Sequence, residues 1–264
     1  MEAVKRCYPW RLGAPSYVIP EAVLPNVELL APLVDDVQLL FFESSGASEL
    51  EHAMPLAALA ELAAAHDLTY TVHLPTDIFL GHPDATTRQS GIAEIERLVA
   101  LLAPLRPVAF DLHLNQQPEL AQEEWQEHLA ESLTLLRRRL GSEAEKIAIE
   151  NIDYPFAQVQ GLVAAHGFSV CLDLGHVLYY QHDWPAAVET APIARHLHLH
   201  GVRDGRDHRP LGLDQANHLV AVGQSLAAGG FRGVLTLEMY KFDSLRRSCE
   251  VLAELWQPFA RSVD

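Results

Sequence analysis

The chain has 264 residues, is 49% hydrophobic, and carries a net charge of −16. That charge argues against nucleic acid as a partner, since binding a polyanion rests on Lys and Arg neutralising phosphates. No apolar run is long enough to span a bilayer, so no membrane partner is expected either.

Residues 1–8 lack the apolar core of a signal peptide. Cys7, Cys171 and Cys249 are scattered without a Cys-x-x-Cys pair, which points to neither a disulfide framework nor a thiolate zinc site and makes a reducing cytoplasm the expected address.

In chain order, apolar stretches alternate with segments long enough for helices. A stretch closing at Ser16 precedes a helix over 26–33; one closing at Glu43 precedes 48–66; His73 precedes 85–103; His113 precedes 118–140. Glu150 then precedes 155–166, Asp173 precedes 184–190, His198 or His200 precedes 213–228, and Glu238 precedes 241–259. Several helical segments carry apolar residues at three- and four-residue spacing, and Pro104, Pro107, Gly141, Gly167, Gly229 and Gly230 mark their ends.

Strand alternation says which way the side chains point. Val72 and Leu74 oppose Thr71 and His73; Ile147 and Ile149 oppose Ala148 and Glu150; Leu235 and Leu237 oppose Thr236 and Glu238. One face is large and apolar, as for a parallel strand under helices; the other is small and then polar at its carboxyl end. This predicts an α/β fold, a single (β/α)8 TIM barrel over residues 1–264, with one active site built from many strand ends.

Four motifs carry the chemistry. In Asp173-Leu-Gly-His176 a strand-end carboxylate is followed by an imidazole; the plain alternative is that Asp173 caps a turn and His176 lies on the surface. His196-Leu-His198-Leu-His200 puts three imidazoles on one strand face, with Asp207 and His208 in the following loop. His196 suits a hydrogen-bonded core position, His198 or His200 a ligand at the rim, and spacing does not choose between those two. Glu150 and Glu238 end their strands and need a cation or donors if buried, with ion pairs to Arg11 or Lys241 as the structural alternative. His73 and His113 end the two middle strands.

These residues resemble the xylose isomerase-like barrels, which include the family 2 apurinic endonucleases and many sugar isomerases and epimerases, over essentially the whole chain. The endonuclease branch builds a trinuclear zinc site from positions that match His73, His113, Glu150-Asn151, Asp173 with His176, His198-Leu199, His208 before Leu211-Gly212, and Leu237-Glu238. The sequence departs where the family's Asp-x-His becomes Arg206-Asp207-His208, which leaves the third metal unassigned. Isomerases of this superfamily keep one metal on two glutamates, an aspartate and a histidine, so His73, His113, His176 and His208 would be surplus.

The resemblance therefore implies two or three divalent ions, of zinc, manganese, iron or cobalt, on His73, His113, Glu150, Asp173, His176, His198, His200, Asp207, His208 and Glu238. It makes Glu150 a bridge and Glu150, Asp173 and Glu238 the catalytic candidates for phosphoester hydrolysis.

Within the superfamily, the run Arg11 to Pro20, with Leu24-Pro-Asn26 and Val34 to Ser44, looks like the cobamide-remodelling phosphodiesterases, as does His198 to Val202 before Asp207-His208. That implies a small-molecule corrinoid, or another phosphoester, as substrate. Phe79, Tyr154, Tyr179, Tyr180 and Trp184 follow the strand ends and are candidates to stack on it, and Arg203 joins them as a binding candidate. Phe156 reads as packing. A sugar isomerase or epimerase is the second reading, a non-catalytic corrinoid- or metal-binding protein the third, and an apurinic endonuclease the fourth because of the charge.

Overall fold

The computed structural model describes residues 1–44 and 54–260. Eight of its strands are β1 (Arg11–Pro15), β2 (Asp36–Leu40), β3 (Thr69–His73), β4 (Phe110–Leu112), β5 (Ile147–Glu150), β6 (Ser169–Asp173), β7 (His196–Leu199) and β10 (Val234–Leu237). They close into a parallel barrel in the order β1, β10, β7, β6, β5, β4, β3, β2. Residues such as Leu12, Val37, Leu39, Val72, Leu112, Ile149, Leu197, Leu235 and Leu237 are fully buried in one hydrophobic core. This outward face packs beneath the surrounding helices, as expected of parallel strands covered on both sides.

The helices are α1 (Val23–Leu30), α2 (Leu56–His66), α3 (Ala85–Leu102), α4 (Gln122–Leu140), α5 (Ala157–Ala165), α6 (Leu174–Tyr179), α7 (Trp184–Thr190), α8 (Ala216–Ala228) and α9 (Phe242–Leu255). The first part of the expected helix over 48–66 lies outside the described residues. Helix α1 begins before Asn26, because that side chain turns back on the preceding loop: its amide nitrogen donates to the carbonyls of Ile19, Glu21 and Ala22, and its oxygen accepts from Val18 and Ile19 N–H. Helix α6 and an antiparallel hairpin of β8 (Gly201–Arg203) and β9 (Arg206–Arg209) were not expected from the sequence. Among the described residues, no helix is long and apolar enough to cross a membrane.

The inner face corrects one expectation. It is not small throughout: Asp36, Gln38, Asp111 and His196 project into the barrel, all fully buried. Thr69 and Thr71 hydroxyls donate to Asp36 at 2.6 and 2.7 Å, and His196 Nδ1 meets Asp111 at 2.8 Å while its Nε2 meets the Thr236 hydroxyl at 2.8 Å. Buried polar groups are tolerable when paired in this way. Gly13 makes room, since a Cβ there would lie 3.1 Å from Thr236 Oγ1 and 3.2 Å from Asp36 Cβ.

Candidate metal centre

The strand ends deliver the candidate ligands to one mouth of the barrel. His73, Glu150 and Asp173 are the last residues of β3, β5 and β6, while His113 and Glu238 stand one residue beyond β4 and β10. Asp173 also caps α6, its Oδ1 accepting from the His176 backbone N–H at 2.8 Å. The capping role and the site role are thus compatible, and His176 is buried rather than on the surface. His198 points inward from β7; His200 lies before the hairpin, and His208 comes back from β9.

Glu150 decides the arrangement. Its Oε2 lies 3.2 Å from His113 Nε2 and 3.3 Å from His73 Nε2, and its Oε1 lies 3.3 Å from His198 Nδ1 and 3.5 Å from His176 Nδ1. One carboxylate oxygen therefore belongs to each of two neighbouring groups: His73, His113 and Glu150 form the first, and Glu150, Asp173, His198 and Glu238 the second. His176, His200 and His208 form a third. Glu238 reaches from the second to the third, with Oε1 3.4 Å from His198 Nδ1 and Oε2 3.2 Å from His208 Nε2. In place of the alternative ion pairs with Arg11 or Lys241, the recorded charged partners of Glu150 and Glu238 are histidines; Arg11 pairs with Asp67.

A cation fits this donor set. Asp173 Oδ2 and Glu238 Oε1 are buried carboxylate oxygens with no hydrogen-bond partner, and each such group costs about 1–3 kcal/mol if left so. The ring nitrogens also present themselves as ligands do. A carbonyl only accepts, so His73 Nδ1 carries a proton for Leu74 O at 2.8 Å and His176 Nδ1 one for Asn151 O at 3.1 Å, leaving each Nε2 lone pair free.

His198 sets Nδ1 among the carboxylates and turns Nε2 toward Asp111 Oδ2 at 3.4 Å and the Gln38 amide at 2.8 Å. His200 differs. The His208 backbone N–H donates to its Nδ1 at 3.0 Å, so a neutral ring carries its proton on Nε2, 3.3 Å from Asp173 Oδ1. Of the two histidines that spacing left open, His198 turns Nδ1 toward Glu150, Asp173 and Glu238, and His200 turns Nε2 toward Asp173. A further group, Asp111, Cys171, His196 and His198, is fully buried, and in it Asp111, His196 and His198 are hydrogen-bonded or ion-paired to one another or to Thr236.

Charge explains how the acids tolerate burial. Desolvation works against ionised Glu150, yet the His198 and His113 charges outweigh it and hold the carboxyl well below its usual range. Glu238 is lowered to about 2, with burial opposed by His198 and by the His208 hydrogen bond. The imidazoles gain what the acids gain: burial disfavours charged His73, but the Glu150 hydrogen bond and charge push it up to about 9.

Other expected site residues sit elsewhere. Glu43 lies beyond the end of β2, exposed in a loop, because the strand stops at Leu40. Asp207 is outside the three groups and instead faces His208 Nδ1 at 3.4 Å, a contact that orients the ring. Tyr154 is core: buried, edge-on to Trp125, with its hydroxyl donating to Leu114 O at 2.8 Å. Trp184 packs half-buried against the edge of His218, and Arg203 pairs with Asp214 at 2.8 Å on the surface. Phe79 is half-buried after β3, and Tyr179 lies edge-on to Tyr180. Tyr180 does border the site, 38% exposed with its ring centroid 5.6 Å from that of His176.

Asp111, Gln38 and Tyr240 are additions. Asp111 precedes His113 by two residues, so alternation along β4 marks both for one face, while Gln38 comes from β2 and Tyr240 stands two residues past Glu238, beyond β10.

The description of the xylose isomerase-like TIM barrel matches residues 34–255. The chain belongs to that family. Among solved structures it is similar to a D-tagatose 3-epimerase-like protein, with a TM-score of 0.79 at 18% identity over 94% of this chain and 98% of the other. It is similar too to the IOLI protein with a binding zinc atom, TM-score 0.74 at 15% identity over 94% and 99%. A third is 3-keto-D-glucoside 4-epimerase, YcjR, from E. coli, TM-score 0.71 at 15% identity over 93% and 98%. Identities this low show the fold alone. A search of curated proteins finds no match.

Within this family barrel, Gly175 is the position on which His200 depends. A Cβ there would fall 2.3 Å from His200 Cε1 and Nε2. Gly175→Ala is therefore expected to displace the His200 ring from Asp173, lowering stability by about 1–3 kcal/mol and metal affinity by roughly tenfold. Thermal unfolding and zinc titration of the variant check this.

Proposed function

We propose that this chain is a metal-dependent phosphoester hydrolase with at least two divalent cations. The observation that carries the reading is Glu150, whose two oxygens are divided between two ligand groups. Divalent cations held there supply charge for the phosphoryl oxygens and the leaving oxygen, and lower the pKa of water.

The chain's own residues do the rest. His73, His176 and His198 would be ligands aimed by Leu74 O, Asn151 O and Asp111 in turn, His208 one aimed by Asp207, and His113 a further ligand facing Glu150. Glu150 and Glu238 tie neighbouring groups together and Asp173, held by the α6 N-terminus and His200, completes the centre. With Glu150 and Glu238 lowered as carboxylates, both are ionised acceptors rather than acids near neutral pH.

As substrate we infer the nucleotide-loop phosphoester of a corrinoid. What supports it is the likeness of the run from Arg11 to Pro20 and of Leu24-Pro-Asn26, where Asn26 shapes the loop that leaves β1. The test is to count metals per chain by native mass spectrometry after zinc or manganese loading, then to incubate the loaded protein with a cobamide. Two or three metals and release of a cobinamide are expected; one metal and an unchanged cobamide would overturn the reading.

A second reading has its own observation. The middle group alone, Glu150, Asp173, His198 and Glu238, matches the single-metal set of sugar isomerases and epimerases, and the structural neighbours named above include two described as epimerase or epimerase-like. Deuterium uptake at a ketose carbon with one metal bound would favour it.

A further inference from the structure

We propose that Tyr17, Phe42 and Tyr240 form an aromatic platform that holds a planar ring of the substrate beside the third histidine group. The inference rests on the phosphoester reading for the orientation of the substrate and extends it to the part of the molecule that does not react.

These residues come from the loops after β1, β2 and β10, which are neighbours around the barrel. Their rings make a continuous path from solvent to the site. Tyr17 meets Phe42 edge-on at 5.6 Å, Phe42 meets Tyr240 at 6.5 Å, and Tyr240 stacks on His208 at 5.1 Å with 27° between the planes. The two outer rings are among the most exposed large apolar side chains of the described residues, Phe42 at 49% and Tyr17 at 42%. Scattered exposed aromatics need no explanation, but a contiguous set at the rim of a polar well does.

Nor is the exposure a matter of loose backbone. On one side Ser16 Oγ accepts from Leu40 N–H at 3.1 Å, and on the other Asn26 accepts from Val18 and Ile19 N–H, so Tyr17 stands between two anchored points. Phe42 is bracketed as well: its carbonyl accepts from the Thr76 hydroxyl at 3.0 Å, and Ser44 N–H donates to Asp77 at 2.7 Å. Rings held on fixed backbone lose little freedom when a ligand stacks on them.

The chemistry selects the occupant. The platform offers ring faces and edges with two phenol hydroxyls, which suits the face of a flat heteroaromatic ring. Stacking of a base on an aromatic side chain contributes about 1–3 kcal/mol. The charge of −16 argues against a long nucleic acid strand, so the ring belongs to a small molecule.

The experiment is calorimetric binding to the zinc-loaded protein of two probes that differ only in the ring, thymidine 5′-monophosphate and 2-deoxyribose 5-phosphate. The wild type is expected to bind the first about tenfold more tightly. Phe42→Ala and Tyr17→Ala are expected to bring the two probes within about twofold, and Phe42→Tyr to restore the difference; both side chains are well exposed, so folding is not at stake. Equal binding of the two probes by the wild type, or an unchanged ratio in both alanine variants, would overturn the proposal. Turnover of the same zinc-loaded proteins is scored separately on bis(p-nitrophenyl) phosphate. A preserved ratio without phosphoester cleavage would sink the hydrolase reading and keep the platform; cleavage without a ratio would do the reverse.

Discussion

Glu150→Gln is expected to abolish turnover, with a fall of roughly a thousandfold or more, while the barrel stays folded. The reason lies in the two oxygens: Oε2 serves His73 and His113, and Oε1 serves His198 and His176. Glutamine keeps the volume of this buried side chain but supplies one neutral acceptor where the site needs two anionic ones, so both neighbouring groups lose a ligand in one substitution. Metal content should fall with activity, and the far-ultraviolet circular dichroism spectrum should not change. Full activity with full metal loading would remove Glu150 from the centre. His218→Gln is the control, since that exposed side chain on α8 touches Trp184 and none of the three groups.

The second large effect separates the two reaction classes. His113 belongs to the first group and has no part in the middle one, which holds the complete single-metal set. His113→Gln is therefore expected to remove one metal per chain and to slow phosphodiester hydrolysis by roughly a hundredfold. An epimerase working from the middle group would keep its rate. Metal counting and the steady-state rate on bis(p-nitrophenyl) phosphate decide it together: loss of one metal with no loss of rate would return the chain to the single-metal reading.

Much of the centre was legible because strand alternation is strict. Once Val72 and Leu74 are assigned outward, His73 must face in, and the same argument sets Glu150, Asp173, His198 and Glu238 on the inner face at the same end of the barrel. The same rule, applied two residues before His113, marks Asp111 for that face as well. An inward acid in mid-barrel is tolerated here because His196 and Gln38 lie beside it.

Where regular structure ends, alternation stops informing. Glu43 reads as a strand end, and Asp207 or His208 as reaching back from a loop, yet β2 stops at Leu40, and the β8–β9 hairpin, turning through Asp204 and Gly205 at positive φ, sends His208 rather than Asp207 to the acids. Spacing alone does not place the aromatic candidates either, for the same reason. Tyr154 and Trp184 follow strand ends as Tyr240 does, but burial against Trp125 and His218 depends on which helices lie beneath each loop.

The sequence by itself therefore determined the barrel, its polar end and most of the candidate ligands gathered there, because local periodicity orients each side chain relative to its own strand. Only the tertiary structure decided which atoms meet: that Glu150 divides its oxygens between two groups, that a backbone N–H meets His200 Nδ1 while His198 Nδ1 faces carboxylates, and that Tyr17, Phe42 and Tyr240 line one side of the mouth. Those are distances between residues far apart in the chain, set by barrel closure and loop packing, and no spacing within a single strand encodes them.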